Sequence, residues 1–142
     1  MLFKFLNKEV IIDTINPIYN DSFECIKLHG DFHLQNVLLT KEYDIYVSDF
    51  ELIHEDIWFL DIFFMFVSNS NLFEMLLEGK FDEKLKSLFN NANSIYDRSN
   101  IKSYLLVTIL KRIQNEIDRN PENFAQVIKK HYNKYIKHII DI

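Results

Sequence analysis

Glycine, proline and cysteine are scarce in this chain. Its 142 residues include only two glycines, two prolines and one cysteine. Two isolated glycines, Gly30 and Gly79, cannot form the glycine-rich loop that wraps backbone N–H groups around a nucleotide phosphate. The single cysteine, Cys25, excludes an internal disulfide and is typical of a reducing compartment. We predict that Cys25 is simply a small buried apolar residue.

Long apolar runs are missing as well. The longest uncharged run near the centre of the chain, residues 62–73, contains serine and asparagine. It is shorter than the roughly 20 residues that a membrane-spanning helix needs. The first residues lack the basic-then-apolar layout of a signal peptide. We therefore expect a soluble cytoplasmic protein with no membrane partner.

Acidic residues are concentrated in the first half of the chain. The formal net charge is −5. Residues 1–64 hold four lysines and twelve acids, a net charge of −8, and residues 65–142 carry +3. Metal ions or a cationic substrate would favour such an acidic half, although a solvated acidic face would look the same. This balance gives no support to nucleic-acid binding.

Two polar motifs stand out in the acidic half. The first is HGDFHLQN at residues 29–36, and the second is SDFE at residues 48–51. An aspartate such as Asp31 can accept the proton of an attacking hydroxyl group. The oxygen atoms of Asn36 and Asp49 are hard ligands that suit magnesium bound to nucleotide phosphates. The order of these groups predicts a phosphoryl-transfer site.

The two motifs resemble the catalytic core of the aminoglycoside phosphotransferase and choline-kinase-like family, written H-G-D-x-H-x-x-N followed by D-F-E. The resemblance covers residues 26–66 well and the later helices loosely. It implies the C-terminal lobe of a protein-kinase-like fold and an ATP- and Mg²⁺-dependent kinase acting on a small molecule with a hydroxyl group. It also implies that Asp31 is the catalytic base and that Asn36 and Asp49 hold the magnesium and the nucleotide.

Four further side chains have roles that the resemblance suggests. Asp61 lies alone in the apolar run 57–67, where a charge is costly unless it is hydrogen-bonded. The resemblance implies that Asp61 accepts hydrogen bonds from the catalytic-loop backbone. His29, in the catalytic loop, is expected to have a scaffolding role, with its ring packed beneath the loop and hydrogen-bonded to the backbone. His33 is expected either to touch phosphate or substrate or to be an ordinary loop residue, and Glu51 either to bind metal or substrate or to be a surface carboxylate.

Local patterns predict a mainly α-helical fold with one small antiparallel β-hairpin. The hairpin is built from residues 37–39 and 45–47, two apolar triplets around a polar turn. Helices are expected at 57–67 with Asp56 as N-cap, at 71–78, 83–91 and 101–118, and from Pro121 onward. We predict a single domain over residues 1–142, with the catalytic loop and hairpin at 26–56 and a helical subdomain at 57–142.

A two-lobed kinase also needs an N-terminal β-sheet lobe that binds nucleotide. Only 28 residues precede His29, too few for a five-stranded lobe, and we interpret Lys4 as a surface residue. The N-terminal lobe is therefore expected to be absent. The expected partners are a small substrate with a hydroxyl group, and either a separate N-terminal lobe or a second copy bound through the exposed cleft face. Alone, the chain is expected to bind nucleotide very weakly.

Two other interpretations compete with a phosphotransferase lobe. His29, Asp31 and His33 alternate, so on a strand they would share one face and could ligate zinc or iron. That interpretation leaves Asn36 and the motif at 48–51 unexplained. The other interpretation is a non-catalytic kinase-like remnant that acts as a binding or regulatory module; one half of a split kinase is a related arrangement.

Overall fold

The structure, a computed structural model, describes residues 8–142, so the expected surface position of Lys4 lies outside the described residues. The chain divides into two compact units. One unit is the continuous segment 22–98, and the other combines residues 8–21 with residues 99–142. The described residues are mainly helical, with two small antiparallel sheets of two strands each. The predicted fold class is confirmed at that level.

The continuous unit carries all four strands. Strand β1 (Cys25–Leu28) pairs with β4 (His54–Ile57), and β2 (Val37–Leu39) pairs with β3 (Ile45–Val47). Three helices follow these strands. They are α2 (Leu60–Val67), α3 (Ser70–Leu77) and α4 (Asp82–Asn91).

The β2–β3 hairpin has the strands and the turn that the sequence predicts. Leu38 lies opposite Tyr46 in the ladder. At the turn, the hydroxyl oxygen of Thr40 accepts the backbone N–H groups of Glu42 and Asp44 at 3.2 and 3.1 Å. Tyr43 takes the left-handed conformation, with φ of 66°. A turn held by its own side chain fixes the register of the short strands on either side.

Two local predictions in this unit are wrong. The helix expected to begin at 57 begins at Leu60, and Asp56 is a residue of β4 rather than an N-cap. The Asp56 carboxylate accepts the N–H of Ile57 at 2.8 Å, within the strand. Cys25 is exposed rather than buried, because β1 pairs with one neighbour only and three of its four residues face solvent.

An aromatic cluster forms the core of the continuous unit. Trp58, Phe59, Phe63 and Phe89 are all buried. The rings of Trp58 and Phe89 lie 4.8 Å apart in an edge-on arrangement, and Phe59 stacks on Phe89 at 6.2 Å. Such pairs contribute about 0.5–1.5 kcal/mol each beyond the area they bury. They anchor α2, the helix that carries Asp61, against α4.

The second unit is helical throughout its described part. Its helices are α1 (Lys8–Ile15), α5 (Ile101–Arg119), α6 (Phe124–His131) and α7 (Lys137–Ile140). A π-helical segment, Tyr132–Ile136, connects α6 to α7. The predicted helix at 101–118 is confirmed, and three residues of its apolar stripe are buried: Leu105, Ile109 and Ile113. The hydroxyl of Ser103 donates to the carbonyl of Thr14 at 2.6 Å and ties α5 to α1.

His131 is buried, although it belongs to no sequence motif. Its side chain is 1% exposed, its Nε2 lies 2.7 Å from a carboxylate oxygen of Glu116, and its Nδ1 has no hydrogen-bond partner within residues 8–142. Burial lowers the pKa of His131, and the hydrogen bond with Glu116 opposes that shift only in part. Burial would raise the pKa of Glu116, but its hydrogen bonds with His131 and Lys130 outweigh burial and lower that pKa.

We expect this pair to make stability fall in mild acid. The folded-state pKa of His131 is depressed, so its contribution is complete above its unfolded pKa of about 6.5 and is lost as pH falls through the folded value. The contribution of Glu116 is lost only at lower pH. The free energy of unfolding, measured with urea, should therefore decrease as the pH is lowered from 7.5 to about 5, and His131→Leu should make this decrease smaller. His138→Leu, at an exposed position, should leave the pH dependence of the unfolding free energy unchanged. The same pH dependence in all three proteins would contradict the role assigned to His131.

No single helix among residues 8–142 is both long and apolar enough to cross a bilayer. Helices α2 and α3 meet the length and composition requirement only when taken together, and the chain bends by 109° between them.

Candidate active site

The first motif forms a loop that is held by Asp61. Asp61 lies in the first turn of α2. One of its carboxylate oxygens accepts the backbone N–H of His29 at 2.6 Å, and the other accepts the N–H of Gly30 at 3.1 Å. Hydrogen bonds to an ionised carboxylate are among the stronger ones in proteins. A helix residue therefore fixes the backbone at the start of the HGDFHLQN motif, at residues 32 and 31 positions earlier in the sequence.

Gly30 meets a steric requirement of this loop. Its φ is +84°, in the left-handed region that residues with a side chain rarely adopt. A Cβ atom at this position would overlap the carbonyl oxygen of Leu52 and would lie 3.0 Å from Nδ1 of His54. That His54 nitrogen is 2.8 Å from the same carbonyl oxygen. The loop can follow this path only because residue 30 has no side chain.

The His29 ring is buried and held on both of its nitrogens. It is 7% exposed, and it packs against Phe32 and Phe50 at ring-centre distances of 5.9 and 4.8 Å. Nδ1 accepts the backbone N–H of Asp31 at 3.2 Å, and Nε2 lies 2.6 Å from the carbonyl oxygen of Ser48. A carbonyl can only accept, so Nε2 carries the hydrogen. The ring thus links the first motif to the second and has no lone pair left for a metal.

Asp31, His33 and Asn36 lie together on the loop. The Asn36 side chain is buried, and its amide nitrogen donates to the backbone carbonyl of Asp31 at 2.9 Å. Nε2 of His33 is 3.4 Å from a carboxylate oxygen of Asp31 and 3.4 Å from the Asn36 amide nitrogen. Because the amide nitrogen of Asn36 has these partners, its oxygen is oriented away from them. The side chains of Asp31, the predicted base, and Asn36, a predicted magnesium ligand, are therefore held by local contacts.

The hairpin brings Asp49 next to this loop. Asn36 directly precedes β2 and Ser48 directly follows β3, and the N–H of Ser48 donates to the carbonyl of Asn36 at 2.9 Å. Asp49 is the next residue. It is exposed and takes a left-handed conformation with φ of 63°, which turns the chain directly after the strand. The predicted ligands Asn36 and Asp49 thus lie at the same end of the hairpin.

The donor set fits magnesium better than zinc or iron. Among residues 8–142, no group of three or more His, Cys, Asp or Glu side chains is placed to hold a metal ion. The rival site on His29, Asp31 and His33 fails because both ring nitrogens of His29 are already hydrogen-bonded. Magnesium keeps several waters and takes further ligands from phosphates, so one carboxylate and one amide oxygen can suffice for it.

Glu51, a predicted site residue, and Trp58 lie apart from these contacts. Glu51 is exposed. Trp58 is buried in the aromatic cluster described above, as a core residue.

The sequence did not identify several residues that shape the site. Leu52 acts through its backbone carbonyl, which leaves no trace in a sequence pattern. Ser48 belongs to the second motif, but it holds the His29 ring through its carbonyl oxygen, which the motif does not indicate. His54 belongs to neither motif, and it is half-buried beside Gly30. Phe50, which packs on the His29 ring, carried a usable signal because it belongs to the second motif.

Comparisons with known proteins identify no relative of this chain. No protein-family model, no curated protein and no solved structure matches the chain.

Proposed function

We propose that this chain is the C-terminal lobe of a small-molecule phosphotransferase, resembling the aminoglycoside phosphotransferase and choline-kinase-like family. The observation that carries the proposal is the double hydrogen bond from the His29 and Gly30 backbone to Asp61. It holds the loop bearing Asp31 in one shape. Alignment of a nucleophile and a catalytic base is the main protein contribution to phosphoryl transfer.

The proposed reaction transfers the γ-phosphoryl group of ATP to a hydroxyl group of the substrate. Asp31 orients that hydroxyl and takes its proton. A bond forms between the substrate oxygen and the γ-phosphorus, and the bond from that phosphorus to the β–γ bridging oxygen breaks, so that ADP leaves. The oxygens of Asn36 and Asp49 would hold Mg²⁺, which neutralises charge on the phosphates. His33, 3.4 Å from Asp31, would orient the base.

The exposed hairpin surface is apolar on both of its faces, which supports a missing partner. Residues that lie opposite each other in the ladder share a face, so Leu38 and Tyr46 are on one face and Leu39 and Ile45 on the other, and all four are 56–69% exposed. Soluble proteins rarely leave such a group uncovered unless something binds there. We propose that a separate β-rich nucleotide-binding lobe covers this hairpin surface, and that a second copy of the chain is the alternative. Co-purification of a β-rich chain would support the former, and concentration-dependent dimerisation the latter.

The proposal predicts ATP binding that depends on magnesium and on Asp49. Isothermal titration of the chain with ATP should give a weak signal, with a Kd of about a millimolar, only when Mg²⁺ is present. Asp49→Asn should abolish it, because the charged metal ligand is lost while the left-handed backbone conformation remains acceptable to asparagine. Asp44→Asn, on the exposed turn of the same hairpin, should bind as the unsubstituted chain does.

Two outcomes would count against this function. ATP binding of equal strength without magnesium, or in Asp49→Asn, would show that the proposed ligands do not form the site. Absence of binding at every accessible concentration would favour a non-catalytic kinase-like module. The exposed hairpin surface and the shortage of glycine are the two observations that favour this second candidate.

A further inference from the structure

A buried histidine lies where α6 meets the π-helical segment. His131 is the last residue of α6, and Tyr132–Ile136 continues in the wider π geometry before α7 begins. The His131 ring is 1% exposed and lies 5.8 Å, centre to centre, from the ring of Tyr135 in that π-helical turn. Single π-helical turns are rare and occur frequently at functional sites. A change in the state of this ring would therefore act directly on an unusual turn of the backbone.

The surroundings of His131 fit the neutral ring and not the protonated one. Nε2 lies 2.7 Å from a carboxylate oxygen of Glu116. An ionised carboxylate can only accept, so Nε2 carries the hydrogen and Nδ1 keeps a lone pair. Nδ1 is buried, with no hydrogen-bond partner within residues 8–142. A second proton would make Nδ1 a buried donor on a cationic ring, and an unsatisfied donor of this kind is costly.

The charges around the ring include one that attracts a cation and two that repel it. Glu116 and Arg112 act on the ring from α5, and Lys130 acts from α6. The Glu116 carboxylate is shared, because it also accepts a hydrogen bond from Nζ of Lys130 at 2.9 Å. On the π-helical segment, Lys134 lies over the Tyr135 ring, 5.0 Å from its centre. Burial and the two like charges thus oppose protonation, and Glu116 compensates only in part. The remaining ionisable side chains of residues 121–140 are half-buried or exposed: Glu122, Lys129, Tyr132, Lys137 and His138.

The packing of this unit allows α6, the π-helical segment and α7 to move as one piece. They pack mainly against α5, whereas α5 also packs against α1 and keeps that contact when they leave. Lys102 on α5 donates to the carbonyl of Ile140 at 2.6 Å, and Lys130 and His131 both contact Glu116. Two of these three connections therefore meet at the carboxylate next to the titrating ring. Local openings of this kind cost less free energy than global unfolding.

We propose that residues 124–140 form a latch that is closed on α5 while His131 is neutral and opens when His131 takes up a proton. Because Nδ1 has essentially no accessible surface in the closed form, water solvates the added proton only after the latch has moved. The open latch exposes an apolar side that includes Val127, Ile128 and Ile139, which are buried in the closed form. A fall in pH below the ordinary histidine pKa of about 6.5 favours the open form. This inference does not depend on nucleotide binding or on phosphoryl transfer.

Hydrogen exchange at single amides measures the opening of the latch. At pH 7.5, amides of α6 and the π-helical segment should be less protected than the buried amides of α5. Low concentrations of urea should affect them less, because a local opening exposes little surface. Between pH 7.5 and 5, the protection factors of the latch should fall by between about threefold and about 30-fold, and the upper limit is that of a ring that takes up its proton only in the open form.

Substitutions assign this response to the buried ring. His131→Leu should abolish the response to pH, and His138→Leu, at an exposed position on α7, should keep it. Glu116→Gln retains an acceptor for Nε2 but removes the charge that attracts a protonated ring, so its response should be at least as large as in the unsubstituted chain. The proposal is overturned by equal protection and equal urea dependence in the latch and in α5, by a response that persists in His131→Leu, or by a smaller response in Glu116→Gln.

Discussion

Asp61→Ala should destabilise the chain by about 3 kcal/mol and release the loop that carries Asp31. The substitution removes the acceptor of the His29 and Gly30 N–H groups. Each donor left unsatisfied costs about 1–3 kcal/mol, and partial access of water to the half-buried site keeps the sum near the lower end. Urea unfolding measures the global loss. Hydrogen exchange should accelerate at these two amides more than at the core amides of α5.

A matched carboxylate serves as the control for Asp61. Asp118 accepts one hydrogen bond from Gln114 on the exposed surface of α5. Asp118→Ala should change the free energy of unfolding by no more than about 0.5 kcal/mol. If both variants lose the same stability, or if exchange at the His29 and Gly30 amides does not change in Asp61→Ala, the proposed anchoring of the loop is wrong.

Gly30→Ala should be at least as damaging. The alanine Cβ would overlap the Leu52 carbonyl oxygen in a backbone that also has a positive φ. The left-handed conformation costs about 1 kcal/mol for alanine, and relief of the overlap requires backbone movement, which typically adds about 1–3 kcal/mol. We therefore expect a loss of about 3 kcal/mol in urea unfolding, together with loss of magnesium-dependent ATP binding.

The other glycine separates the cost of the positive φ from the cost of the overlap with the Leu52 carbonyl oxygen. Gly79 also has a positive φ, of +81°, but an added Cβ there would meet mainly the end of the Arg98 side chain, which can move. Gly79→Ala should therefore cost only about 1 kcal/mol and leave ATP binding intact. Equal costs at the two positions would show that the Leu52 backbone does not constrain the loop.

The sequence predicts elements whose signals are local and misses those that depend on distant pairing. The prediction of the hairpin is confirmed, because β-branched and apolar triplets flank a polar turn within one short stretch of sequence. Strand β4 was missed because its sequence, HEDI, has neither alternation nor high β-propensity, and it forms by pairing with β1 nearly thirty residues earlier. The same pairing explains why the helix expected from 57 starts only at Leu60.

For the site residues too, the sequence predicts what has a local signal and misses what depends on the surrounding fold. The motif order brings Asp31, Asn36 and Asp49 to one end of the hairpin, and the isolated charge of Asp61 in an apolar run was a sign of a hydrogen-bonded carboxylate. Their roles in catalysis stay a prediction. His131 was missed although it lies four residues after Val127 and four before Tyr135, both buried. Counting only apolar residues excluded it from that face.

The division of the chain into a continuous unit and an interrupted one has a consequence during synthesis. Residues 22–98 are contiguous, so the contacts described above for the strands, the loop and Asp61 all lie within residues that have been made once position 98 has left the ribosome. Helix α1 is synthesised earlier, but it packs against α5, which is synthesised after the whole continuous unit. Domains usually fold as units as they emerge. The candidate site should therefore assemble on the nascent chain before α5, the helix that α1 packs against, has been synthesised.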